Sequence, residues 1–304
     1  MASTHAGRSP DPPVPPTSRP PELQDPLNRF VYHPLAGRLA RLLARGPISP
    51  NAVSVAGMLL VWGAAAAYTQ LDWPAAFLCG FALHLSWHVV DGADGDLARL
   101  TGKASATGEL VDGVCDYAGH VPLYLALAAM LDDQLGGWAW LLASAAAASH
   151  IAQTNHAESQ RRYYLWWAYG ITWLKNARAQ GNDAVFAGRS LFSRLFGWTA
   201  RDYLKLADAM TPNSAAIDAA IERVKDDPVR IGQVRRLVRR SSRRSIAFQK
   251  LLGPNPRAIL LGISMAFATP LYFFLAEAVL LNLLLIFSVR HHNRSGLRLA
   301  KQIG

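Results

Sequence analysis

Four aspartates in one stretch of the chain have the residue type and the spacing of a metal-binding cluster. Asp91 and Asp94 lie in the segment DGADGDLAR, and Asp112 and Asp116 follow in the segment GELVDGVCD, which begins after eight further residues. If both segments are helical, the first pair shares a helix face at i, i+3 and the second pair at i, i+4. A turn through 101–103 would fold the two faces together. The carboxylates would then need protons or cations to compensate their charge.

Carboxylate oxygens favour a hard divalent cation at this cluster. Oxygen-only ligand sets bind Mg²⁺, Mn²⁺ or Ca²⁺ in preference to zinc. Carboxylates that bridge two metal ions about 3.5–4 Å apart are typical of sites that catalyse displacement at phosphorus. The small residues Gly95, Ala98 and Gly108 beside the aspartates would leave room for a bulky ligand or for a close helix contact.

Long apolar segments flank the acidic cluster, and the composition is that of a membrane protein. Of the 304 residues, 51% are hydrophobic and 17% are charged, a low charged share for a soluble chain. The pattern predicts an all-α polytopic membrane protein, because apolar runs near the length of a bilayer core recur along the chain. Six transmembrane helices are expected, near 52–69, 73–91, 109–131, 137–156, 257–271 and 273–289. The last two are so close together that a re-entrant pair is an alternative.

The distribution of basic residues orients these spans. Lys and Arg are absent from 46–98, 104–160 and 258–289, so every basic residue falls in loops on one side of a six-span chain. The opposite loops carry four acidic residues, Asp72, Asp132, Asp133 and Glu277. The positive-inside rule then predicts cytoplasmic termini and a cytoplasmic acidic cluster, in a bacterial-type inner (plasma) membrane. The net charge of +10 indicates an anionic lipid surface or phosphorylated ligands rather than nucleic acid.

The N-terminal region divides into two parts. Residues 1–27 are rich in Pro and Ser and have no long apolar core, which predicts a disordered tail rather than a signal peptide. The membrane domain, 28–157, opens with a segment that alternates apolar residues such as Phe30, Leu35 and Leu42 with arginines. This pattern predicts an amphipathic helix at the membrane interface. The simpler alternative is an anchoring helix with no further role.

Residues 158–256 form a basic cytoplasmic insertion, and 257–304 hold the last two spans and a basic tail. Amphipathic segments near 191–209 and 214–226 predict helices within the insertion. Paired arginines four residues apart would give one helix a continuous basic stripe: Arg235, Arg236, Arg239, Arg240, Arg243 and Arg244. The stripe could contact lipid phosphates, form a solvated face paired with acidic neighbours, or belong to a lid over the substrate.

The aspartate pattern resembles the signature of a known enzyme family. D-x-x-D-G-x-x-A-R, eight residues, and then G-x-x-x-D-x-x-x-D is similar to the signature of the CDP-alcohol phosphotransferase (CDP-alcohol phosphatidyltransferase) family, with every position present. The resemblance covers roughly 28–157 and, more loosely, 254–304. It implies a CDP-linked donor, usually CDP-diacylglycerol, an alcohol acceptor and release of CMP. It also implies two divalent ions, Mg²⁺ or Mn²⁺, and a homodimer.

The resemblance assigns roles to the signature residues. Asp91, Asp94 and Asp112 are expected to bind the metal ions, and Asp116 to act as the general base and as a further metal ligand. Residues expected at the CDP moiety are Gly95, Ala98, Arg99 and Gly108, together with Asn51 near the start of the first span. Arg99 could instead form a salt bridge within the aspartate cluster, and Asn51 could instead cap a neighbouring element.

The acceptor alcohol is less defined by the sequence. Inositol, inositol phosphate, glycerol phosphate and serine are all candidates, and an inositol-type or phosphorylated polyol is favoured. Additional arginines near the site would favour a phosphorylated acceptor. Four arginines could lie near the membrane surface on this side: Arg161, Arg162, Arg257 and Arg290.

Other residues near the cluster allow different interpretations. His84 and His88 lie one helical turn apart, so they could form a transition-metal site, but hydrogen bonding within the bundle or to the carboxylates is favoured. The same holds for His120. Cys79 and Cys115 both fall in predicted spans, so a structural disulfide is not expected.

The sequence also allows two other functions. Intramembrane acidic residues also suit a divalent-cation transporter or a metal-binding membrane protein. Transporters commonly contain paired repeats with a site near the membrane midplane, whereas here one acidic cluster lies at the end of a span. A catalytically idle scaffold is disfavoured because the signature positions are intact.

Overall fold

The computed structural model describes residues 20–171 and 191–303, and all regular elements in these ranges are helical. The predicted all-α class is therefore confirmed for the described residues. The helices are α1 (His33–Leu43), α2 (Pro50–Gln70), α3 (Ala75–Leu100), α4 (Ala106–Leu135), α5 (Trp138–Tyr169), α6 (Leu191–Met210), α7 (Ser214–Val224), α8 (Pro228–Ser241), α9 (Arg243–Leu251), α10 (Pro254–Ala266), α11 (Leu271–Leu275) and α12 (Leu281–Ile303). Short helical turns cover Pro21–Leu23 and Asn28–Tyr32, and a π-helical turn at Ala276–Leu280 joins α11 to α12.

Local sequence signals fix where the helices of the site region begin. Ser49 caps α2 by accepting a hydrogen bond from the Ala52 backbone nitrogen at 3.2 Å, and proline follows at the first helical position. Ser105 caps α4 in the same way, at 3.1 Å from the Gly108 backbone nitrogen. Serine caps satisfy amide groups that have no partner within the helix. The predicted turn between α3 and α4 is present at 101–105, where Gly102 has a φ of +66°.

Within the described residues, three helical segments are long and apolar enough to cross a membrane. They are Pro50–Gln70, Val111–Leu135 and Leu271–Ile303. These segments support a membrane protein, whereas the six-span arrangement stays a prediction. The predicted fifth span corresponds to α10, which has 13 residues and is therefore about 20 Å long, short of the bilayer core.

Helices α2, α3, α4, α5, α10 and α11 enclose the main apolar core. Its fully buried members include Val61, Leu127 and Phe274. Helix α2 packs against both α3 and α4. Close approach of α2 and α3 depends on Gly80, because a Cβ atom built there would lie 2.5 Å from the ring of Tyr68.

Replacing Gly80 by alanine is expected to destabilise the bundle. Overpacking of a well-packed core costs about 1–3 kcal/mol, and the neighbouring Tyr68 side chain is 1% exposed, so it has little room to move. Thermal unfolding in detergent micelles measures the effect. Gly137→Ala is the matched control, because a Cβ atom there meets nothing within 4 Å. Equal melting temperatures for the two variants would contradict the packing described.

The N-terminal residues form helix α1 within the predicted amphipathic segment, and its position at a membrane interface stays a prediction. In α1, Ala36 and Ala40 are buried against α3, while Phe30 and Leu42 are 69% and 61% exposed. This leaves an apolar face suited to lipid contact. Of the tail predicted to be disordered, 1–19 lie outside the described residues. Residues 20–27 differ from that prediction, because the Glu22 carboxylate accepts hydrogen bonds from Tyr164 and Tyr169.

The described part of the insertion forms helices α6 to α9 around the end of α5 and of α12. Buried residues of this second core include Tyr163, Trp167, Ile217, Val238 and Leu299. Helices α6 and α7 correspond to the two predicted amphipathic segments. The prediction of a single continuous basic helix is wrong, because the helix is interrupted at Ser242, between α8 and α9. The arginine stripe is therefore divided between two helices, and Arg239 stacks over the Tyr169 ring at 5.6 Å.

Candidate functional site

The aspartates lie where the C-terminal part of α3 and the N-terminal part of α4 meet the same side of α2. One oxygen from each of Asp91, Asp112 and Asp116 lies within 4.8 Å of the others, and all three residues are half-buried. The helical spacing predicted this convergence, since the residues share faces on two helices joined by a short turn. Three carboxylates at such separations repel one another unless a cation or a proton compensates them.

Asp94 lies next to this trio but has a partner of its own. It is 5% exposed and accepts a hydrogen bond of 2.5 Å from the Ser54 hydroxyl of α2. Its carboxyl group also lies within hydrogen-bonding range of Asp112. The structure therefore groups three of the four predicted ligands directly and holds the fourth beside them. The Ser54 contact was not anticipated from the sequence.

The donor set fits a hard divalent cation. All the candidate ligand atoms of the trio are carboxylate oxygens, which suit Mg²⁺ or Mn²⁺ and suit softer metals less. Partial burial would strengthen the attraction between a cation and the carboxylates. Asp91, Asp112 and Asp116, with Asp94 beside them, are the residues that could hold such an ion.

The residues predicted at the CDP moiety, here called the rim residues, lie on α2, α3 and α4, the helices that contain Ser54 and the four aspartates. Gly95 lies under the Arg99 guanidinium, since a Cβ atom built there would be 3.4 Å from Nη1. Arg99 is exposed and pairs with Asp96 at 2.5 Å, so its salt bridge involves none of the four signature aspartates. Gly108 lies beside Asn51, whose Oδ1 would be 3.9 Å from such a Cβ atom. Ala98 is half-buried on α3.

Three histidines near the carboxylates pack as an aromatic group. His88 lies about one turn before Asp91, His84 one turn before His88, and His120 one turn after Asp116. The His84 and His88 rings are stacked with centroids 6.0 Å apart, and His88 also stacks on Tyr32 at 5.0 Å. His84 Nδ1 and His88 Nε2 are buried without a hydrogen-bond partner, so these atoms do not make the bonds that the sequence favoured. His120 Nδ1 donates to the Asp116 backbone carbonyl at 2.8 Å. Within the described residues, these imidazoles form no metal-binding group.

A cavity of about 530 Å³ opens beside the cluster and is lined by Asp91 and Asp116. Much of its wall is apolar and comes from α4, α5 and α10, with residues such as Leu125, Trp140 and Leu261. The volume lies within the range of about 300–1,000 Å³ that is usual for ligand sites. Asp91 and Asp116 are therefore among the few charged residues that line a largely apolar cavity.

A second polar part of the cavity wall comes from α5, α9 and α10. It contains Glu158, Gln249 and Arg257. Gln249 and Glu158 were not singled out from the sequence, because nothing local distinguishes them from other polar residues of the insertion and its boundary. Only the path of the chain brings them to the cavity.

Of the four candidate arginines, Arg257 lines the cavity. It is 4% exposed and pairs with Glu277 at 2.9 Å. Its guanidinium also donates to the Leu252 and Gly253 carbonyls and to the Gln153 side chain. Its donors are therefore largely occupied within the protein.

Arg161 and Arg162 are bound to the Glu158 carboxylate. Arg161 Nε and Nη2 donate to Glu158 at 2.7 Å each, and Arg162 Nε donates at 2.6 Å. Arg290 is not among the residues that line the cavity. Cys79 and Cys115 are both free thiols, as expected.

Comparison with known proteins gives one match. Residues 47–168 match the family model described as CDP-alcohol phosphatidyltransferase, which confirms the resemblance. The matched region runs from the start of α2 almost to the end of α5 and contains all four signature aspartates. The match includes the first residues of the insertion, 158–168, whereas helices α6–α12 lie outside it. Neither the curated proteins nor the solved structures give a significant match.

Proposed function

We propose that the chain is an integral membrane CDP-alcohol phosphatidyltransferase of phospholipid biosynthesis. It would transfer the phosphatidyl group of CDP-diacylglycerol to the hydroxyl group of a polar alcohol and release CMP. The observation that carries this proposal is the convergence of Asp91, Asp112 and Asp116 beside a largely apolar cavity that Asp91 and Asp116 line. These residues lie inside the region that matches the family model.

The chemistry follows from the residues of the cluster. The acceptor oxygen attacks the phosphorus of the phosphatidyl group, a new P–O bond forms, and the P–O bond to the CMP leaving group breaks. Asp116, which lines the cavity, takes the proton of the acceptor hydroxyl as a general base. Asp91, Asp94 and Asp112 would hold the divalent ions, with Asp116 as a further ligand. Bound Mg²⁺ or Mn²⁺ would neutralise the pyrophosphate and the leaving phosphate.

The cavity walls support a lipid donor. Its apolar residues, among them Leu123, Leu125, Ala128 and Ile151, would contact acyl chains while the pyrophosphate lies at the carboxylates. Burial of each methylene group contributes about 0.8 kcal/mol, so a few methylenes already bind a chain appreciably. The same wall offers little to a hydrated metal ion in transit, which disfavours the cation transporter.

The rim residues are proposed to hold the CDP moiety. Gly95, Ala98 and Gly108 leave space for the nucleotide close to the backbone, and Asn51 lies beside Gly108. Arg99 is exposed and bound to Asp96. An exposed pair of this kind is weak, so the guanidinium can exchange its partner for a phosphate oxygen, which guanidinium groups bind well.

The enzyme is proposed to lie in a bacterial-type inner membrane as a homodimer, with the cluster facing the cytoplasm. The distribution of basic residues supports this orientation. Asp72 and Asp133 are exposed, as expected of loop residues. Glu277 does not support it, because its side chain is 0% exposed and pairs with Arg257. The orientation therefore rests on the basic residues and on the other three acidic ones.

A transfer assay tests the function directly. Purified protein is incubated with CDP-diacylglycerol, Mn²⁺ and a panel of alcohols, and CMP and new phospholipid are measured. Mn²⁺- and acceptor-dependent formation of both products is the expected result. Uptake of Mn²⁺ into proteoliposomes without any release of CMP would overturn the proposal and favour the transporter.

A further inference from the structure

The insertion contributes to the wall of the candidate catalytic cavity. Gln249 lies in α9, outside the region that matches the family model, yet it lines the same cavity as Asp91 and Asp116. Helix α9 reaches this position because α9 packs against both α5 and α12. The cavity thus combines the acidic cluster of the matched region with a polar residue supplied by the insertion.

Gln249 brings an unused hydrogen-bond acceptor to this wall. Its Oε1 atom is buried and has no hydrogen-bond partner. A buried polar atom without a partner costs about 1–3 kcal/mol, and a hydroxyl group of a bound ligand would remove that cost. Thr154 and Glu158 line the same cavity and offer further groups that bind hydroxyls.

Glu158 adds a fixed negative charge to the same wall. Burial acts to raise the pKa of Glu158, but the Arg161 and Arg162 guanidinium groups outweigh burial and lower the pKa to about 2. The side chain is therefore a carboxylate at neutral pH, held in place by both arginines. The arginines occupy three of its roughly four acceptor positions, so about one position is left for a ligand hydroxyl. Glu158 lines the cavity and the two arginines do not, so a phosphate there would meet the carboxylate first.

The cavity lacks an available cation for an anionic acceptor. Among the described residues that line it, Arg257 carries the only guanidinium, and Lys is absent. Arg257 is engaged with Glu277, with two backbone carbonyls and with Gln153. With divalent ions bound at Asp91 and Asp116, the remaining fixed negative charge on the cavity wall is the Glu158 carboxylate, and no uncommitted guanidinium or ammonium group of the described lining residues offsets the charge of a phosphate.

We propose that Gln249 and Glu158 bind the acceptor and that the acceptor is an uncharged polyol. The insertion thereby contributes to the specificity for the acceptor alcohol. This inference rests on the proposed function, because it assigns the acceptor side of the same site. Hydroxyl groups of the polyol donate to the Glu158 carboxylate and to Gln249 Oε1, and one further hydroxyl of the polyol attacks the phosphorus of the donor.

An acceptor panel tests the class of alcohol. Wild-type protein is assayed with CDP-diacylglycerol, Mn²⁺ and, in separate reactions, myo-inositol, glycerol, myo-inositol 1-phosphate, sn-glycerol 3-phosphate or L-serine. Transfer to an uncharged polyol is expected to be at least about tenfold faster than to any charged acceptor at equal concentration, which corresponds to about 1.4 kcal/mol. Preference for a phosphorylated polyol or for serine would overturn the inference, while CMP release would still uphold the proposed function. No CMP with any acceptor would instead remove the proposed function itself.

Two variants test the residues. Gln249→Leu is expected to raise KM for the polyol about tenfold, because one or two hydrogen bonds to the polyol are lost. The KM for CDP-diacylglycerol and kcat should change little. Glu158→Gln releases Arg161 and Arg162, so it should raise transfer to the phosphorylated polyol relative to the uncharged one several-fold. Gln70→Leu, at an exposed glutamine at the end of α2, is the control. An unchanged polyol KM in Gln249→Leu, with the donor KM and melting temperature of wild type, would contradict the assignment.

Discussion

Replacing Asp116 by asparagine is expected to lower the rate of CMP release by about a hundredfold or more. General acid–base catalysis contributes about 10²–10⁴ in rate, and asparagine cannot take the acceptor proton. The substitution also removes one charged oxygen from the trio that lies within 4.8 Å, so metal binding would weaken as well. Asparagine has nearly the same size, so the packing around α4 stays intact. Initial rates of CMP release from CDP-diacylglycerol measure the effect.

Asp72→Asn is the matched control for this variant. Asp72 is exposed in the connection between α2 and α3, away from the cluster. The rate of CMP release by Asp72→Asn should therefore equal that of the wild type. Retained binding of CDP-diacylglycerol by Asp116→Asn would separate loss of chemistry from loss of folding. A rate within a few-fold of wild type for Asp116→Asn would exclude Asp116 as the general base.

A second large effect is expected at the buried ion pair between α10 and the π-helical turn before α12. Glu277 and Arg257 are 0% and 4% exposed, and Arg257 Nε lies 2.9 Å from Glu277 Oε1. Glu277→Gln leaves the Arg257 charge buried without its counter-charge. Breaking a buried pair in this way costs about 3–5 kcal/mol. Thermal unfolding in detergent micelles should show a clear fall in Tm.

The surface pair between Lys205 and Asp202 provides the comparison. Its atoms are 3.0 Å apart, but the two side chains are 76% and 45% exposed, and exposed pairs contribute about 0–1 kcal/mol. Asp202→Asn should therefore leave the Tm almost unchanged. If Glu277→Gln were no more destabilising than Asp202→Asn, the buried pair could not be what holds α10 against the turn before α12.

The acidic site was predictable because its information is local. Helical periodicity places Asp91 and Asp94 on one face and Asp112 and Asp116 on another, and Gly102 allows the short turn between them. The four residues lie within one pair of consecutive helices, so no long-range contact had to be inferred. The rim residues Gly95 and Gly108 follow from the same two segments.

The second polar wall was not predictable, because it depends on contacts between distant parts of the chain. Arg257 bonds Gln153, 104 residues away in the sequence, and Gln249 reaches the cavity only through the packing of the insertion. Glu277 shows the same limit. Its position between two apolar runs favoured an exposed loop, but the turn lies earlier, at 267–270, and Glu277 falls inside the following helical segment.

The prediction that the arginine stripe lies on one helix was wrong for a different physical reason. Arginine spacing alone predicts one helix face, but it does not register where a helix ends. Two consecutive serines precede Arg243, and serine favours helix ends because its side chain competes for backbone hydrogen bonds. The break at Ser242 separates Arg239 and Arg240 from Arg243 and Arg244.

Binding of Mn²⁺ to the purified protein, followed by electron paramagnetic resonance, tests most directly whether α3 and α4 form a divalent-metal site for a CDP-linked substrate. The wild type should bind Mn²⁺, more tightly with CDP-diacylglycerol present. A variant carrying both Asp91→Asn and Asp112→Asn should lose this binding while keeping its Tm. Equal Mn²⁺ binding by the wild type and the double variant would contradict the account.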